Sequence, residues 1–296
     1  MKTITDHGYT TYPRRFNSYK WYKPLAVGGL FVIFIFIAQI AIDIITKFLL
    51  GTSVSSTGYD DMDFFTAAGA FSNGASATAV LPCMILAAII VKDRPVSSYF
   101  SSMGGWRWRI FFRTLAAAFV ILGIPTIIQH LVKGNSGNVR FTIGGFIILT
   151  LLAPLQGVSE ELTYRGYLVQ TVSSWFMLPV VGIIASVIVF AATHPYNVIG
   201  IVEIALSGLL YALVVVFSKG LEAASALHII NNMTEIYMVG IGFGSISSQQ
   251  TIPDVIVNVS FKIIFFLFVL YADKKLHWFD EVKFDDVKSF AQKNSK

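Results

Sequence analysis

Charge is scarce in this sequence. Only 13% of its 296 residues are Asp, Glu, Lys or Arg, whereas 55% are hydrophobic, and the mean hydropathy is +0.67. This composition excludes an ordinary soluble domain and predicts an integral protein that crosses the membrane several times. The net charge of +5 does not indicate nucleic-acid binding, because the basic residues form short tracts beside apolar segments rather than one long stripe.

Cysteine and two familiar motifs are also lacking. Cys83 is the single cysteine, so an intrachain disulfide and a cysteine-only metal site are excluded. The phosphate-binding pattern G-x-x-x-x-G-K-[ST] is absent, which makes coupling to ATP in this chain unexpected. The zinc-protease pattern H-E-x-x-H is absent too, so no metal site follows from spacing alone.

Long hydrophobic runs, by contrast, are abundant. A spanning helix needs about 20 mainly apolar residues. Eight such segments are predicted, at residues 25–45, 77–91, 110–131, 142–158 and beyond, 178–194, 198–217, 221–242 and 254–272. The first is too long for a signal-peptide core and is interpreted as a retained helix. The predicted fold class is an all-α transmembrane bundle of about eight helices, with one membrane domain at 25–272 between tails at 1–24 and 273–296.

Lys and Arg are concentrated in four places: the first 24 residues, the tract from Lys92 to Arg109, Lys219, and the tail from Asp273. Because loops rich in Lys and Arg stay in the cytoplasm, these segments and both termini are predicted to be cytoplasmic. An even number of helices agrees with this arrangement. Membrane lipid is the expected surroundings, and the plasma membrane is the expected location.

A few ionisable residues interrupt the apolar segments. On insertion scales a charge at membrane depth costs about 2.5–3.5 kcal/mol, so each is a functional candidate. Asp43 and Glu222 are interpreted as interfacial, whereas Glu203 and Glu235 are possible cavity-lining residues. The other candidates are Glu160, Glu161, Arg165, His194 and His228, with Asn232 as an uncharged companion.

The stretch QGVSEELTYRGYLVQ, residues 156–170, contains E-E-x-x-x-R. On a helix Glu161 and Arg165 are four residues apart, with the acid on the N-terminal side, and they can form an ion pair. Glu160 points about 100° away around the helix and need not share that partner. A free carboxylate in a partly dry pocket suits a general base. The triplet alone is equally compatible with a surface ion pair at a helix end.

Two histidines on later helices favour the catalytic interpretation. His194 ends an apolar segment just before Pro195, and His228 lies four residues from Asn232, on the same helical face. With Glu160 they permit hydrolysis, in which Glu160 activates water and the histidines and the Asn232 amide orient or stabilise the reacting groups. Glu160, His194 and His228 are also sufficient to hold a divalent metal such as zinc, so the cofactor is either such a metal or none.

Three motifs follow one another along the chain: E-E-x-x-x-R, F-x-x-x-H (Phe190 to His194) and H-x-x-x-N (His228 to Asn232). In this order they resemble the motifs of the CPBP family of intramembrane endopeptidases. That family includes the CAAX prenyl proteases and the bacteriocin-processing and bacteriocin-immunity Abi proteins. The motifs cover residues 156–233, and the resemblance implies a protease core at about 140–245. It implies Glu160 as the base, with the other motif residues completing the active site. Family members are described both as metalloproteases and as glutamate-dependent proteases.

Three functions are therefore compared. The first is a peptidase acting on a membrane-associated peptide or protein, with a chamber expected to open to the cytoplasm. The others are a non-catalytic immunity or scaffold protein of the same fold and a transporter coupled to protons or cations. The predicted helix ends place the candidate site residues at conflicting depths in the membrane. If the fourth segment begins near Thr142, Glu160 lies about 27 Å along it, near the cytoplasmic face, whereas His194 lies near the opposite face. We expect a helix end displaced by some turns, or a broken or tilted helix.

Overall fold

Eight helices make up the bundle in the computed structural model, which describes residues 8–51, 59–135, 137–245 and 247–279. The helices are α1 Lys23–Leu50, α2 Ala67–Val91, α3 Trp108–Lys133, α4 Ile143–Phe176, α5 Pro179–Ala192, α6 Val198–Ser218, α7 Glu222–Gly240 and α8 Ile252–Leu276. Short 3₁₀ turns at Tyr9–Arg15 and Tyr59–Asp61 and a one-turn helix at Ser97–Phe100 accompany them. No β-strand occurs in the described residues, so the all-α prediction is confirmed.

Lipid is the natural solvent of the outer surface. Six of the described helices are long and apolar enough to cross a membrane, while α5 is shorter and α7 more polar. Large apolar side chains point outward on several of them, among them Phe36, Ile188 and Val198, which are 69%, 62% and 81% exposed. Exposure of this extent is unfavourable in water and ordinary in lipid. The chain is a multi-pass integral membrane protein.

Two of the predicted helices are longer than hydropathy indicated. Helix α2 begins at Ala67 rather than at residue 77, because its first half, AAGAFSNGASAT, consists of small residues. These residues pack closely on α4, where Thr78 Oγ1 donates to the Leu152 carbonyl at 3.2 Å. Helix α4, predicted to run from 142 to 158 and beyond, continues to Phe176. Its polar last two turns, QTVSSWF, are covered by other parts of the protein and not by lipid, since Gln170, Ser173 and Ser174 are buried.

A π-helical stretch, Leu162–Val169, widens α4 immediately after Glu161. Just before it, Ser159 Oγ donates to the Leu155 carbonyl at 2.7 Å, and Thr163 Oγ1 donates to the Ser159 carbonyl at 3.0 Å. Such bonds compete with the backbone ladder and favour a local change in helix pitch. π-Helical turns are frequent at functional sites because they re-aim side chains.

The connecting segments form two layers at opposite ends of the bundle. We call one the basic face; it comprises residues 8–22, 92–107, 219–221 and 277–279. Its parts are joined by hydrogen bonds from Arg14 to the Ser174 carbonyl (2.7 Å), from Ser18 to the Asp93 carbonyl (2.8 Å) and from the Leu221 amide to the Phe100 carbonyl (2.8 Å).

The other layer, here the opposite face, comprises residues 59–66, 134–135, 137–142, 193–197, 241–245 and 247–251. Backbone amides join it: Thr142 donates to Phe65 (3.0 Å), Arg140 to Gly240 (2.9 Å) and Asn197 to Ser248 (2.9 Å). The described ends of the chain, residues 8–22 and 277–279, both lie at the basic face. The predicted tails at 1–7 and 280–296 lie outside the described residues.

Candidate active site

A cavity of about 250 Å³ lies among α4, α5, α6, α7 and α8. Four of the predicted site residues line it: Glu160, His194, His228 and Asn232. Residues of the opposite face form its rim: Phe64, Tyr196, Ser245, Ser247 and Gln250. The three motifs recognised in the sequence therefore meet at one cavity that is open at one end of the bundle.

Glu161 and Arg165 lie behind this wall and are completely buried. Arg165 Nη1 donates to Glu161 Oε1 at 3.0 Å, and Nη2 donates to the Gly208 carbonyl at 2.9 Å. The guanidinium carbon also lies 4.5 Å from the centre of the Phe190 ring, a cation–π contact. The predicted i,i+4 pair is thus present, but as a fully desolvated pair that fixes α4 against α5 and α6 and not as a surface pair at a helix end.

His228 connects the two glutamates. Its Nδ1–H donates to Glu161 Oε1 at 2.9 Å, and its Nε2 lies 3.6 Å from Glu160 Oε2. The ring stacks on Tyr211 with centroids 4.9 Å apart and an angle of 18°. A carboxylate on one ring nitrogen fixes the tautomer and the orientation of the other. Glu161 therefore aims His228 at Glu160.

Glu160 is the only carboxylate of the E-E pair that faces the cavity. Its side chain is 19% exposed, whereas that of Glu161 is 0% exposed. Gln156 Nε2, one turn earlier, donates to Glu160 Oε1 at 3.1 Å. The other oxygen, Oε2, is buried and has no hydrogen-bond partner among the described residues. A buried carboxylate oxygen without a hydrogen bond needs a partner, which a water molecule between Glu160 Oε2 and His228 Nε2 could supply.

His194 approaches the cavity from the end of α5. Its Nδ1 lies 2.7 Å from the Phe190 carbonyl oxygen. Because a carbonyl only accepts, Nδ1 is the donor of this hydrogen bond. Asn232 lies on α7, where its side-chain oxygen accepts a hydrogen bond from Asn231 Nδ2 at 3.1 Å. That contact engages the Asn232 oxygen, and the NH₂ group is the part of this amide that can donate a hydrogen bond.

Two glycines allow the helices to come close enough for these contacts. A Cβ at Gly157 would lie 2.8 Å from Cγ1 of Ile229 and 3.3 Å from its backbone nitrogen, so α4 and α7 touch here. A Cβ at Gly208 would lie 3.3 Å from Arg165 Nη2 and 3.0 Å from the Phe190 ring. Small residues at helix contacts are the usual means of close packing in lipid.

Lys262 is a charged residue of the cavity wall that was not among the predicted site residues. It is 2% exposed; its Nζ donates to Ser207 Oγ at 2.8 Å and lies 3.4 Å from Glu203 Oε1. The signal was available, because Lys262 is a charge within the predicted segment 254–272 and should have been counted with the others. Its pairing with Glu203 places that glutamate in the cavity wall, as the lining interpretation predicted.

The remaining candidates lie in different places. Glu235 lines the cavity near the opposite face and pairs with His130 Nε2 at 3.0 Å. Asp43 is exposed on α1. Glu222 begins α7 as expected, but it is buried and accepts from Arg107 Nη2 at 2.8 Å and from the Arg107 amide at 2.9 Å. The interfacial interpretation of Glu222 therefore omitted a buried ion pair at the basic face.

The conflict between the depths of Glu160 and His194 is resolved by the helix ends. Because α4 continues 16 residues past Glu160 to Phe176, this glutamate lies near the middle of the helix. Helix α5 has only 14 residues, about 21 Å, and so reaches only part of the way across a hydrocarbon core of about 30 Å. The displaced end of α4 and the short α5 bring both residues to similar depth.

The arrangement of the side chains decides whether the cavity offers a ready-made metal site. In the described part of the chain no group of three or more His, Cys, Asp or Glu is arranged so that it could hold a metal ion. The ring nitrogen His228 Nδ1 is bonded to Glu161, which leaves Nε2 facing Glu160. The set Glu160, His194 and His228 thus lines one cavity without forming a ready-made tridentate site.

The fold and the cavity together define a class: a polytopic membrane protein with a carboxylate, two histidines and an asparagine around an internal cavity. The comparisons give the family. Residues 141–234 match the model of the Rce1-like family, described as type II CAAX prenyl endopeptidase Rce1-like. This segment, about a third of the chain, carries all six predicted site residues, so the resemblance to the CPBP/CAAX proteases is confirmed. No curated protein and no solved structure matches the chain.

Proposed function

We propose that the protein is an intramembrane endopeptidase that hydrolyses peptide bonds in membrane-associated peptides or proteins, using water activated by Glu160. The observation that carries the proposal is Glu160 at the cavity wall: its Oε2 makes no hydrogen bond and lies 3.6 Å from Nε2 of His228, which a buried glutamate holds in place. The Rce1-like segment supports the same reaction, since its family is one of endopeptidases.

In the first step Glu160 Oε2 removes a proton from a water molecule in the cavity. The resulting hydroxide adds to the carbonyl carbon of the scissile peptide, and the carbonyl oxygen becomes an oxyanion. The Asn232 NH₂ group is the donor proposed to stabilise this oxyanion, because its own oxygen is occupied by Asn231. His228 and His194, on two other walls, orient the water and the substrate.

In the second step the proton held by Glu160 passes to the departing nitrogen, and the C–N bond breaks. The products are a free carboxyl and a free amine, and Glu160 returns to its ionised form. The same group thus acts first as base and then as acid. Glu161 and Arg165 do not touch the reacting atoms; they position His228 and the widened turn of α4.

A divalent metal is an alternative source of activated water. Glu160, His194 and His228 would have to move together to hold it, since they form no ready-made site in the described chain; such an ion would polarise the carbonyl or lower the pKa of water. The steps above do not require it. Treatment with a chelator distinguishes the two forms of the proposal.

The test compares purified wild type, Glu160→Gln and Glu235→Gln in detergent on a library of fluorogenic membrane-associated peptides. Glutamine keeps the size and the hydrogen bonding of glutamate but cannot accept the proton. We expect Glu160→Gln to lower kcat by about 10²–10⁴-fold, the usual contribution of a general base. Glu235→Gln is the matched control, a cavity carboxylate on another helix that is paired with His130 and is given no part in the chemistry.

Equal activity in wild type and Glu160→Gln would remove Glu160 as the base. Loss of cleavage in wild type on adding a chelator, with recovery on adding Zn²⁺, would favour the metal-dependent form. If neither protein cleaves any peptide, the protease proposal fails, and the non-catalytic and transport alternatives become the ones to measure, by binding and by flux.

A further inference from the structure

The two faces of the bundle differ strongly in positive charge. At the described basic face and the helix ends next to it are Arg14, Arg15, Lys20, Lys23, Lys92, Arg94, Arg107, Arg109, Arg113, Lys219, Lys274 and Lys275. The opposite face and its adjoining helix ends have only Lys47, Lys133 and Arg140 within the described ranges, and Lys133 is paired with Asp254 at 2.5 Å. By the positive-inside rule the basic face lies in the cytoplasm.

The cavity opens away from that face. Its rim residues Phe64, Tyr196, Ser245, Ser247 and Gln250 all belong to the opposite face. On each helix that lines the cavity, the lining residues lie in the middle of the helix or in the half nearer the opposite face. On α6, which starts there, these residues extend from Gly200 to Tyr211, and on α7, which ends there, from His228 to Val239.

The other end of the cavity is closed. Between it and the basic face lie fully buried side chains: Arg165, Leu162, Leu221 and Tyr99. A Cβ at Gly166 would be 2.6 Å from the Tyr99 carbonyl oxygen, so α4 is in direct contact with the segment before α3. Below this layer Arg107 and Glu222 seal the start of α7 with two charged hydrogen bonds of 2.8 and 2.9 Å. A peptide in the cytoplasm has no open path to Glu160.

We infer that the cavity takes its substrate from the extracytoplasmic side of the membrane. This inference rests on the proposed protease function. It narrows the substrate class to exported peptides or outward-facing segments of membrane proteins. A lipid-modified C-terminus presented in the cytoplasm is thereby excluded as a substrate. The inference differs from the expectation of a chamber open to the cytoplasm. Cytoplasmic termini and a cytoplasmic opening cannot both hold, because the described chain ends and the rim lie at opposite ends of the bundle.

The orientation is tested by labelling introduced cysteines. Since Cys83 is the single cysteine, Cys83→Ser gives a cysteine-free background. Ser245→Cys places a thiol at an exposed position on the rim, and Asn17→Cys places one at an exposed position on the basic face. Cells that express each variant receive a membrane-impermeant maleimide before or after permeabilisation.

We expect Ser245→Cys to react in intact cells and Asn17→Cys only after permeabilisation. The reverse pattern would overturn the inference, and so would labelling of both thiols in intact cells, because the chain would then not have one orientation. This measurement does not depend on catalysis, so its failure would leave the protease proposal in place.

The substrate side is tested with sealed vesicles. Right-side-out and inverted vesicles receive the same fluorogenic peptides, each anchored by one acyl chain. Cleavage is expected in right-side-out vesicles, and in inverted ones only after detergent. In addition, a bulky maleimide on Ser245→Cys should reduce cleavage relative to the same variant without label. Cleavage confined to intact inverted vesicles would overturn the inference, whereas absence of cleavage even in detergent would contradict the protease proposal itself.

Discussion

Two adjacent glutamates have opposite surroundings, and this difference determines what each can do. Glu160 borders the cavity, whereas Glu161 is enclosed with Arg165, both 0% exposed. Removing one member of a buried pair leaves the other charge uncompensated, at a cost of about 3–5 kcal/mol. We expect Arg165→Met to lower the free energy of unfolding by about that amount. Glu161→Gln/Arg165→Met should recover part of the loss, as measured by thermal unfolding in detergent.

The control is the pair of Glu235 with His130, in which the side chain of Glu235 is 41% exposed. Glu235→Gln should shift the unfolding midpoint little, because a hydrated charge loses less when its partner is removed. If Arg165→Met and the double variant were equally destabilised, lost packing of the long side chain would account for the effect and charge pairing would not.

The contact between α4 and α7 is the element on which the site depends, because it carries Glu160 to His228. A Cβ at Gly157 would lie 2.8 Å from Ile229 Cγ1. We therefore expect Gly157→Ala to separate the helices, to lower stability by about 1–3 kcal/mol, and to reduce kcat through the longer distance from Glu160 to His228. Unfolding and cleavage measured on one preparation check both effects.

Gly29→Ala is the matched control, since Gly29 lies in helix α1, faces outward and has nothing within 4 Å of its Cβ position. It should be neutral or slightly stabilising, because alanine favours helix. Ile229→Ala added to Gly157→Ala should restore part of the activity by removing the clashing atom. A Gly157→Ala variant with full activity would show that the helices tolerate a wider spacing.

What could be predicted at the level of elements was limited by what hydropathy detects. The eight helices followed from the sequence, and so did the four predicted polar residues that meet at the cavity, because long apolar runs and rare polar residues within them are local signals. The first half of α2 was missed and the end of α4 was left open, because their small or polar residues are covered by protein rather than lipid. The direction of the cavity depended on which ends of five helices line it, and that is tertiary information.

At the scale of the whole molecule, the basic face is closely packed and the cavity is bordered by residues of the opposite face. Tyr9, 3% exposed, belongs to the main apolar cluster, and its hydroxyl donates to the Tyr99 carbonyl at 3.4 Å. Phe64 lies on the rim of the cavity. Truncating a buried aromatic side chain costs about 3–5 kcal/mol, whereas truncating a rim contact weakens substrate binding without touching the reacting atoms.

We therefore expect Tyr9→Ala to lower the unfolding midpoint while the folded fraction keeps its KM, and Phe64→Ala to raise KM while the midpoint changes little. Each variant serves as the control for the other, because both remove one aromatic ring from the same bundle. Thermal unfolding and steady-state cleavage, measured on both proteins, separate the two effects. A raised KM in Tyr9→Ala with an unchanged KM in Phe64→Ala would mean that substrate approaches from the basic face, which contradicts the division of the molecule into a sealed end and an open one.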